Sequence, residues 1–234
     1  MAFHKKGKRP PNPDPENFVW VMTREGGYWR RKRGTIKKAK LNRAFKEDGN
    51  LMKLSAPAAS RLLLKLKPYM NGLHTGRLHS RMSGRLRKDL RESGKLNLGC
   101  LKGLDLQQEY PLEKLLEAEV KIQQTEDELI VTIPIAEHTV KRINTLVTDY
   151  YFVLILLYGN ADKENGLRTE SVDSDVYEIG KQYDNDCRLA MVLPEKEWIA
   201  LLKVNCIEGN EHAASPKLYG MKVVEAALKK TTDD

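Results

Sequence analysis

The apolar residues of this chain recur with two different periods, and the change between them constrains the fold more than any other feature. Between residues 51 and 90 they recur every three or four positions, which is the spacing of an amphipathic helix. Over Glu119–Thr125 they alternate with polar residues, which is typical of a strand with one buried face. The sequence therefore predicts an α+β protein, in which a short N-terminal hairpin and a helical hairpin precede a mostly antiparallel β sheet or sandwich.

The first predicted helix carries an apolar stripe that runs from Leu51 to Tyr69. Ser55 and Pro57 suit the start of a helix, and Pro68 marks its expected end. Its stripe is expected to face that of a second helix across a turn at residues 71–74, which makes an αα-hairpin.

The second predicted helix has a stripe at four-residue spacing, with Thr75 as a candidate N-cap and Gly94 as the stop. The stripe consists of Leu78, Met82, Leu86 and Leu90. Arginine and lysine dominate the remaining faces, so this helix combines a buried apolar side with a basic exposed side.

Strands are predicted at both ends of the chain. Phe18–Met22 and Tyr28-Trp29 form a hairpin, because Gly26 and Gly27 permit a tight turn between them. Glu119–Thr125 and Leu129–Ile135 form a second hairpin. Further candidates are Tyr150–Tyr158, Val176–Lys181, Arg188–Leu193, Trp198–Ile207 and Tyr219–Ala227. The last two also suit helices, and a strand is favoured for the first of them because it ends in a turn-forming Glu-Gly-Asn-Glu stretch.

Charge is sorted along the chain. The first 102 residues hold 26 Lys and Arg against 7 Asp and Glu, and the remaining 132 hold 14 against 25. The net charges are therefore +19 and −11, which sum to +8. Together with the four prolines among residues 10–15, this predicts a flexible basic arm at 1–17, a basic hairpin and helical region at 18–102, and an acidic β-rich domain at 103–234.

Two basic clusters are the candidate sites for nucleic acid or another anion, because Lys and Arg neutralise phosphates and carboxylates. One follows Tyr28 and Trp29, which could stack on bases, and the other covers the polar side of the second helix. A solvated loop is the more common explanation of a cluster such as the first one. The candidates are Arg30, Arg31, Lys32, Arg33, Lys37, Lys38, Lys40, Arg43, Arg77, Arg81, Arg85 and Lys88.

The sequence carries no catalytic, cofactor or metal signature. It has no GxSxG, P-loop, GxGxxG or HExxH motif, and its five histidines and three cysteines lack the spacing of a zinc site. Neither an enzymatic activity nor a cofactor is therefore predicted. The longest apolar run, Tyr150–Tyr158, has nine residues, whereas a membrane helix needs about 20. With no secretory signal visible, we expect a cytoplasmic protein without a membrane partner.

Several short patterns follow one another in a recognisable order. They are Gly27-Tyr28 in an aromatic hairpin, an Arg-, Lys- and Gly-rich stretch, Asn42-x-x-Phe45, a helix with Ala-Pro-Ala-Ala-Ser-Arg-Leu-Leu, and Ser80-Arg81-Met82 before a β-rich half. Over residues 18–228 this layout resembles a family of uncharacterised Bacteroidota proteins. The resemblance implies an architecture and no residue-level site. The Pro-rich arm and the heavy positive charge depart from that family's pattern.

Two classes of function fit these observations. The first is a non-catalytic binding or assembly protein, whose basic half docks an acidic protein surface or a neighbouring copy in a homo-oligomer. The second is a nucleic-acid-associated protein that binds the phosphates of DNA or RNA without strong sequence preference. The first is favoured. What discriminates them is whether the basic residues line an exposed face or are consumed by intramolecular bonds.

Overall fold

The computed structural model describes residues 4–5, 10–11, 14–23, 26–32, 43–141, 146–209 and 211–227. The chain divides into two compact units, Met1–Asp48 and Gly49–Asp234, and each is described by itself. The predicted division after residues 17 and 102 stays a prediction. Much of the predicted basic arm, residues 1–3, 6–9 and 12–13, lies outside the described part of the chain.

A three-stranded antiparallel sheet forms in the first unit. Its strands are β1 (His4–Lys5), β2 (Phe18–Met22) and β3 (Gly26–Arg31), in the order β1-β3-β2. Trp20 lies opposite Trp29, and their rings pack edge to face with centroids 5.1 Å apart. A Cβ at Gly27 would lie 2.4 Å from the Trp20 indole, so this position requires glycine. The predicted aromatic hairpin is confirmed, but Gly26 and Gly27 belong to β3 and not to the turn in which they were predicted.

Helix α1 (Arg43–Leu66) begins well before the predicted start, and Pro57 lies inside it. Reading Ser55 and Pro57 as a helix start was wrong. Pro57 removes one backbone hydrogen bond from the interior of α1, and the packing of buried side chains offsets that loss. Ser55, Ala58, Ala59, Leu62 and Leu66 are buried and supply that packing. The predicted end is correct, since a 3₁₀ turn at Lys67–Tyr69 contains Pro68.

Helix α2 (Leu78–Ser93) buries the four predicted stripe residues and ends at Gly94, whose φ is 74°. Thr75 is not its N-cap. That position is Arg77, which has a left-handed φ of 59° and makes no side-chain cap. The Thr75 carbonyl instead accepts a bond from the Leu78 amide at 3.0 Å.

Two antiparallel sheets follow α2 and the one-turn helix α3 (Leu112–Leu115). The small sheet has the order β4-β5-β9, and the central sheet is built on the long strands β6 and β10. In chain order, the strands are β4 (Lys121–Gln124), β5 (Glu128–Ile133), β6 (Val147–Gly159), β7 (Leu167–Asp173), β8 (Tyr177–Glu178), β9 (Cys187–Val192), β10 (Trp198–Glu208), β11 (Glu211–His212) and β12 (Tyr219–Ala227).

The strand predictions are confirmed, including strand rather than helix for Trp198–Ile207, and Tyr219–Ala227 is also a strand. Of the predicted Val176–Lys181, only the two residues of β8 pair. Strand β7 was not predicted, because it lies at an edge of the central sheet and most of its side chains are polar.

The central sheet is apolar on both faces. On β6, Phe152, Leu154 and Leu156 share a core with the small sheet. Val153, Ile155 and Leu157 share a second core with the two helices. Since successive strand residues point to opposite faces, the central sheet lies between a helix layer, residues 49–106, and the small sheet. The α+β expectation is confirmed.

Candidate anion-binding groove

Four predicted cations lie along α2. Arg81, Arg85 and Lys88 are spaced four and three residues apart, so they lie on neighbouring turns of one helix face. Arg77 precedes the helix as its N-cap and has a left-handed backbone, so the helical spacing does not place it on that face. Arg77 and Lys88 are exposed, whereas Arg81 and Arg85 are half-buried. The two half-buried side chains therefore have neighbours that the two exposed ones lack.

Arg81 is fixed by the backbone of a segment that the sequence did not place beside it. Its guanidinium donates to the carbonyls of Asp105 and Leu106, the latter at 2.8 Å. Burial lowers the pKa of Arg81, which the charge of Asp105 opposes and that of Arg85 reinforces. Its Nε is buried without an acceptor among the described residues. An arginine remains charged under such a shift, so the positive charge persists.

Arg85 reaches the same segment one turn later, and donates to the carbonyl of Lys102 at 2.9 Å. That segment is also bonded to the edge of the central sheet. The Gly103 amide donates to the Val223 carbonyl at 2.8 Å, and the Leu106 amide donates to the Met221 carbonyl at 2.8 Å. The segment is thus held between α2 and β12 by hydrogen bonds on both sides.

A groove of about 650 Å³ lies between α2 and this segment, and we call it the α2 groove. The helix contributes Ser80, Arg81, Gly84, Arg85 and Lys88, and the facing wall contributes Gly103, Leu104, Asp105, Gln108 and Pro111. The Asp105 carboxylate accepts a bond from the Leu112 amide at 3.1 Å and so caps α3. Three cations against one engaged carboxylate make the lining electropositive, which suits a carboxylate or phosphate ligand.

The groove cations keep their charge available. No described carboxylate forms an ion pair with Arg81, Arg85 or Lys88. The two arginines use donors on backbone carbonyls, which neutralise no charge. The basic residues were expected either to line an exposed face or to be engaged in intramolecular bonds, and the two arginines do some of each. They donate to backbone carbonyls within the chain, but they form no ion pair with the acidic half.

The other predicted cations lie outside the groove. Arg77 lines a neighbouring hollow with Lys67 and His79. In the first unit, Arg31 lies over the Phe18 ring at 5.8 Å, and the Lys32 amine donates to the Pro15 carbonyl at 2.9 Å.

Two further predicted cations are described in the first unit. The Arg30 Nε is buried without an acceptor in the described chain. Arg43 begins α1 and pairs with Glu47 at 2.7 Å. The remaining four, Arg33, Lys37, Lys38 and Lys40, lie outside the described residues.

Sequence reasoning missed a buried lysine in the middle of β10. The Lys203 side chain faces the turn between the helices, where its amine donates to the Asn71 carbonyl at 3.1 Å. It also lies 5.5 Å from the centroid of the Tyr219 ring. Burial lowers the pKa of Lys203 to about 8, and the charge of Asp173 opposes this shift. The sequence feature that could have indicated this burial is that Lys203 and Asn205 interrupt an otherwise apolar run.

Lys203 ties the helix layer to the central sheet. The turn that it contacts contains Gly72, whose φ is 81° and whose added Cβ would lie 2.5 Å from the Tyr219 ring. Only glycine fits here, because any Cβ at this position would clash with the Tyr219 ring. Lys203 thus belongs to the packing that positions the two helices.

The described residues contain no group of three or more His, Cys, Asp or Glu side chains that could hold a metal ion. Among the helices of the described chain, none is long and apolar enough to cross a bilayer.

Comparisons with known proteins add little to these observations. No family model and no curated protein matches the chain, so the resemblance to a Bacteroidota family stays a prediction. One solved structure is similar, the solution structure of R. palustris CsgH, with 10% sequence identity and a TM-score of 0.22. The match covers 43% of this chain and 91% of that one.

Proposed function

We propose that this protein is a non-catalytic binding or assembly protein whose basic half docks an acidic protein surface or a neighbouring copy. The observation that carries this proposal is the α2 groove. Its three cations line an open groove of about 650 Å³, and none of them forms an ion pair with a described carboxylate. A carboxylate that enters the groove therefore meets positive charge that the fold has not neutralised.

The distribution of charge between the layers supports an acidic protein as the partner. Residues 49–106, which form the helix layer, hold 12 Lys and Arg against 3 Asp and Glu. Residues 107–141, which contain α3, β4 and β5, hold 3 against 8. Opposite charges on two sides of one molecule steer complementary surfaces together and repel like ones.

The short reach of the groove favours a protein over a nucleic acid. From Ser80 to Lys88 the helix advances about 12 Å. A duplex of that length carries about seven phosphate charges, against which the groove sets three cations. Two of these cations already donate to backbone carbonyls, so few donors remain for phosphates.

The proposal includes a cytoplasmic location. Cys100, Cys187 and Cys206 all carry free thiols. Thiols persist in reducing compartments, whereas oxidising ones favour disulfides.

Fluorescence anisotropy with two labelled probes of equal charge tests the proposal. One probe is a polyglutamate peptide and the other is a short duplex DNA. We expect the peptide to bind more tightly than the duplex at about 50 mM salt and to be released at about 500 mM, because the Debye length falls several-fold over that range. Tighter binding of the duplex would instead support the nucleic-acid function.

A groove variant, Ser80→Glu/Lys88→Glu, shows whether binding occurs at the proposed site. It changes two exposed residues and leaves both bonded arginines in place. We expect it to weaken peptide binding about 10-fold, since roughly 1.4 kcal/mol is lost with the charge complementarity. Asn50→Glu/Lys53→Glu, which makes the same change of charge on exposed residues of the helix layer outside the groove, is the matched control. Equal loss in both variants would contradict the groove as the site.

A further inference from the structure

The turn between β4 and β5 presents two exposed acidic side chains, Glu126 and Asp127, which we call the acidic tip. The Thr125 amide donates to the Glu128 carbonyl at 2.9 Å, and the Thr125 hydroxyl accepts from the Glu128 amide at 3.0 Å. The Asp127 carbonyl accepts from the Leu193 amide at 2.7 Å. The tip is therefore a fixed turn, and docking would order little backbone.

Neither carboxylate of the acidic tip is engaged within the chain. No hydrogen bond or ion pair joins the Glu126 or Asp127 side chain to any residue in the described part of the structure. The same holds for the Lys88 amine in the α2 groove. One molecule thus carries unneutralised carboxylates on one turn and unneutralised cations in one groove.

The two features lie on opposite sides of the central sheet. The α2 groove belongs to the helix layer, which packs on the face that presents Val153, Ile155 and Leu157. The acidic tip belongs to the small sheet, which packs on the face that presents Phe152 and Leu154. The tip of one molecule therefore cannot enter its own groove, and both remain open to a second copy.

We infer that the acidic tip of one copy docks in the α2 groove of the next. This inference rests on the proposed function and names its partner as a second copy of the chain. The carboxylates of Glu126 and Asp127 would meet Lys88 and the remaining donors of Arg85, with the Ser80 hydroxyl beside them. Because the groove and the tip are different surfaces, the contact is head to tail and repeats from copy to copy, which builds a ring or a filament.

Two complementary variants test this contact by light scattering during size exclusion at about 50 mM salt. Glu126→Lys/Asp127→Lys destroys the tip and keeps the groove, whereas Ser80→Glu/Lys88→Glu destroys the groove and keeps the tip. We expect each variant alone to elute as a monomer of about 26.7 kDa. An equimolar mixture retains one intact tip and one intact groove, so it should form a 1:1 complex of twice that mass that does not grow further.

Matched controls separate this contact from a general effect of charge. Asp162→Lys/Glu164→Lys makes the same charge change on an exposed loop, and Asn50→Glu/Lys53→Glu makes the charge change of the groove variant elsewhere in the helix layer. Both controls should assemble like the wild type. Circular dichroism of each variant verifies the fold, and the mixture verifies that both variants remain competent to bind.

Three outcomes would overturn the inference: a wild type that is monomeric at low salt, assembly that survives both variants, or a mixture that stays monomeric. The proposed function has a separate readout in the anisotropy of the polyglutamate probe. A wild type that binds this probe through the groove but stays monomeric would leave the proposed function standing and refute self-assembly. A wild type that neither binds the probe nor assembles would refute both the proposed function and self-assembly.

Discussion

The helix layer and the small sheet cover the two faces of one central sheet, and they differ in charge more than in packing. Each layer completely covers apolar side chains of β6, such as Ile155 on the helix side and Phe152 on the other. Their surfaces are nevertheless opposite, with 12 basic against 3 acidic residues in 49–106 and 3 against 8 in 107–141. The interior requires only apolar side chains of the right volume, so the core leaves the charge of each surface open to other constraints. Charge that packing does not dictate is informative about partners.

The largest expected effects come from substitutions in the two cores, which test whether both cores stabilise the protein to a similar extent. Phe152→Ala and Ile155→Ala each remove a fully buried side chain from opposite faces of β6. We expect each to lower the free energy of unfolding by about 2–5 kcal/mol, because a cavity forms on either side. Urea unfolding measures this loss. Val192→Ala, at a residue that is 75% exposed, is the control and should change stability by less than about 0.5 kcal/mol. A small loss at Ile155 alone would mean that the helix layer packs loosely on the sheet.

The second prediction concerns Lys203, the buried cation that joins the helix layer to the sheet. Its pKa is lowered to about 8 in the folded protein, so the unfolded chain binds this proton more tightly. The contribution of Lys203 to the free energy of unfolding should therefore rise between about pH 8 and 10.5, by up to about 3 kcal/mol. Lys203→Met should remove that rise.

The comparison of wild type with Lys203→Met isolates this titration. Tyrosines and cysteines whose pKa is raised by burial contribute in the opposite direction, because the unfolded chain loses their protons in this range while the folded protein keeps them. Their contribution cancels in the difference between the two proteins. Urea unfolding at pH 7.5 and pH 10.5 gives that difference. Equal changes with pH in both proteins would show that the Lys203 amine is not desolvated in the folded state.

The smallest expected effects lie at the two ends of α2. Arg77 has a left-handed φ of 59°, and Gly94 has one of 74°. Arg77→Gly should raise stability by several tenths of a kcal/mol, whereas Gly94→Ala should lower it by about 1 kcal/mol, because only glycine adopts this backbone without strain. Thermal unfolding detects both changes. Because Arg77 lies outside the α2 groove, Arg77→Gly should alter polyglutamate binding by less than about 2-fold. A larger loss would extend the site to the start of the helix.

The sequence predicted the elements well where their apolar residues form a clear pattern. The stripe of α2 was found because it follows the helical period, and β6 and β10 were found as short continuous apolar runs, since both of their faces are buried. Element ends were harder to predict. Pro57 was read as a start although packing carries α1 through it, and a left-handed Arg77 as N-cap has no sequence signature.

The site could be predicted only in part. Arg81, Arg85 and Lys88 were chosen from the sequence because a basic helix face is visible in it. The facing wall of the groove was not predicted, because Gly103 and Asp105 are brought beside α2 through their pairing with β12. Lys203 was missed for a similar reason, since a lone lysine in a strand normally marks an exposed position.

The mass of the wild-type protein as a function of concentration and salt tests the central claim most directly. At about 50 mM salt, light scattering should give a mass that rises with concentration beyond twice the 26.7 kDa of the chain. At about 500 mM salt it should return to that of the monomer, because the contact is electrostatic. A mass of 26.7 kDa at every concentration in low salt, or an increase that requires added duplex DNA, would contradict the account.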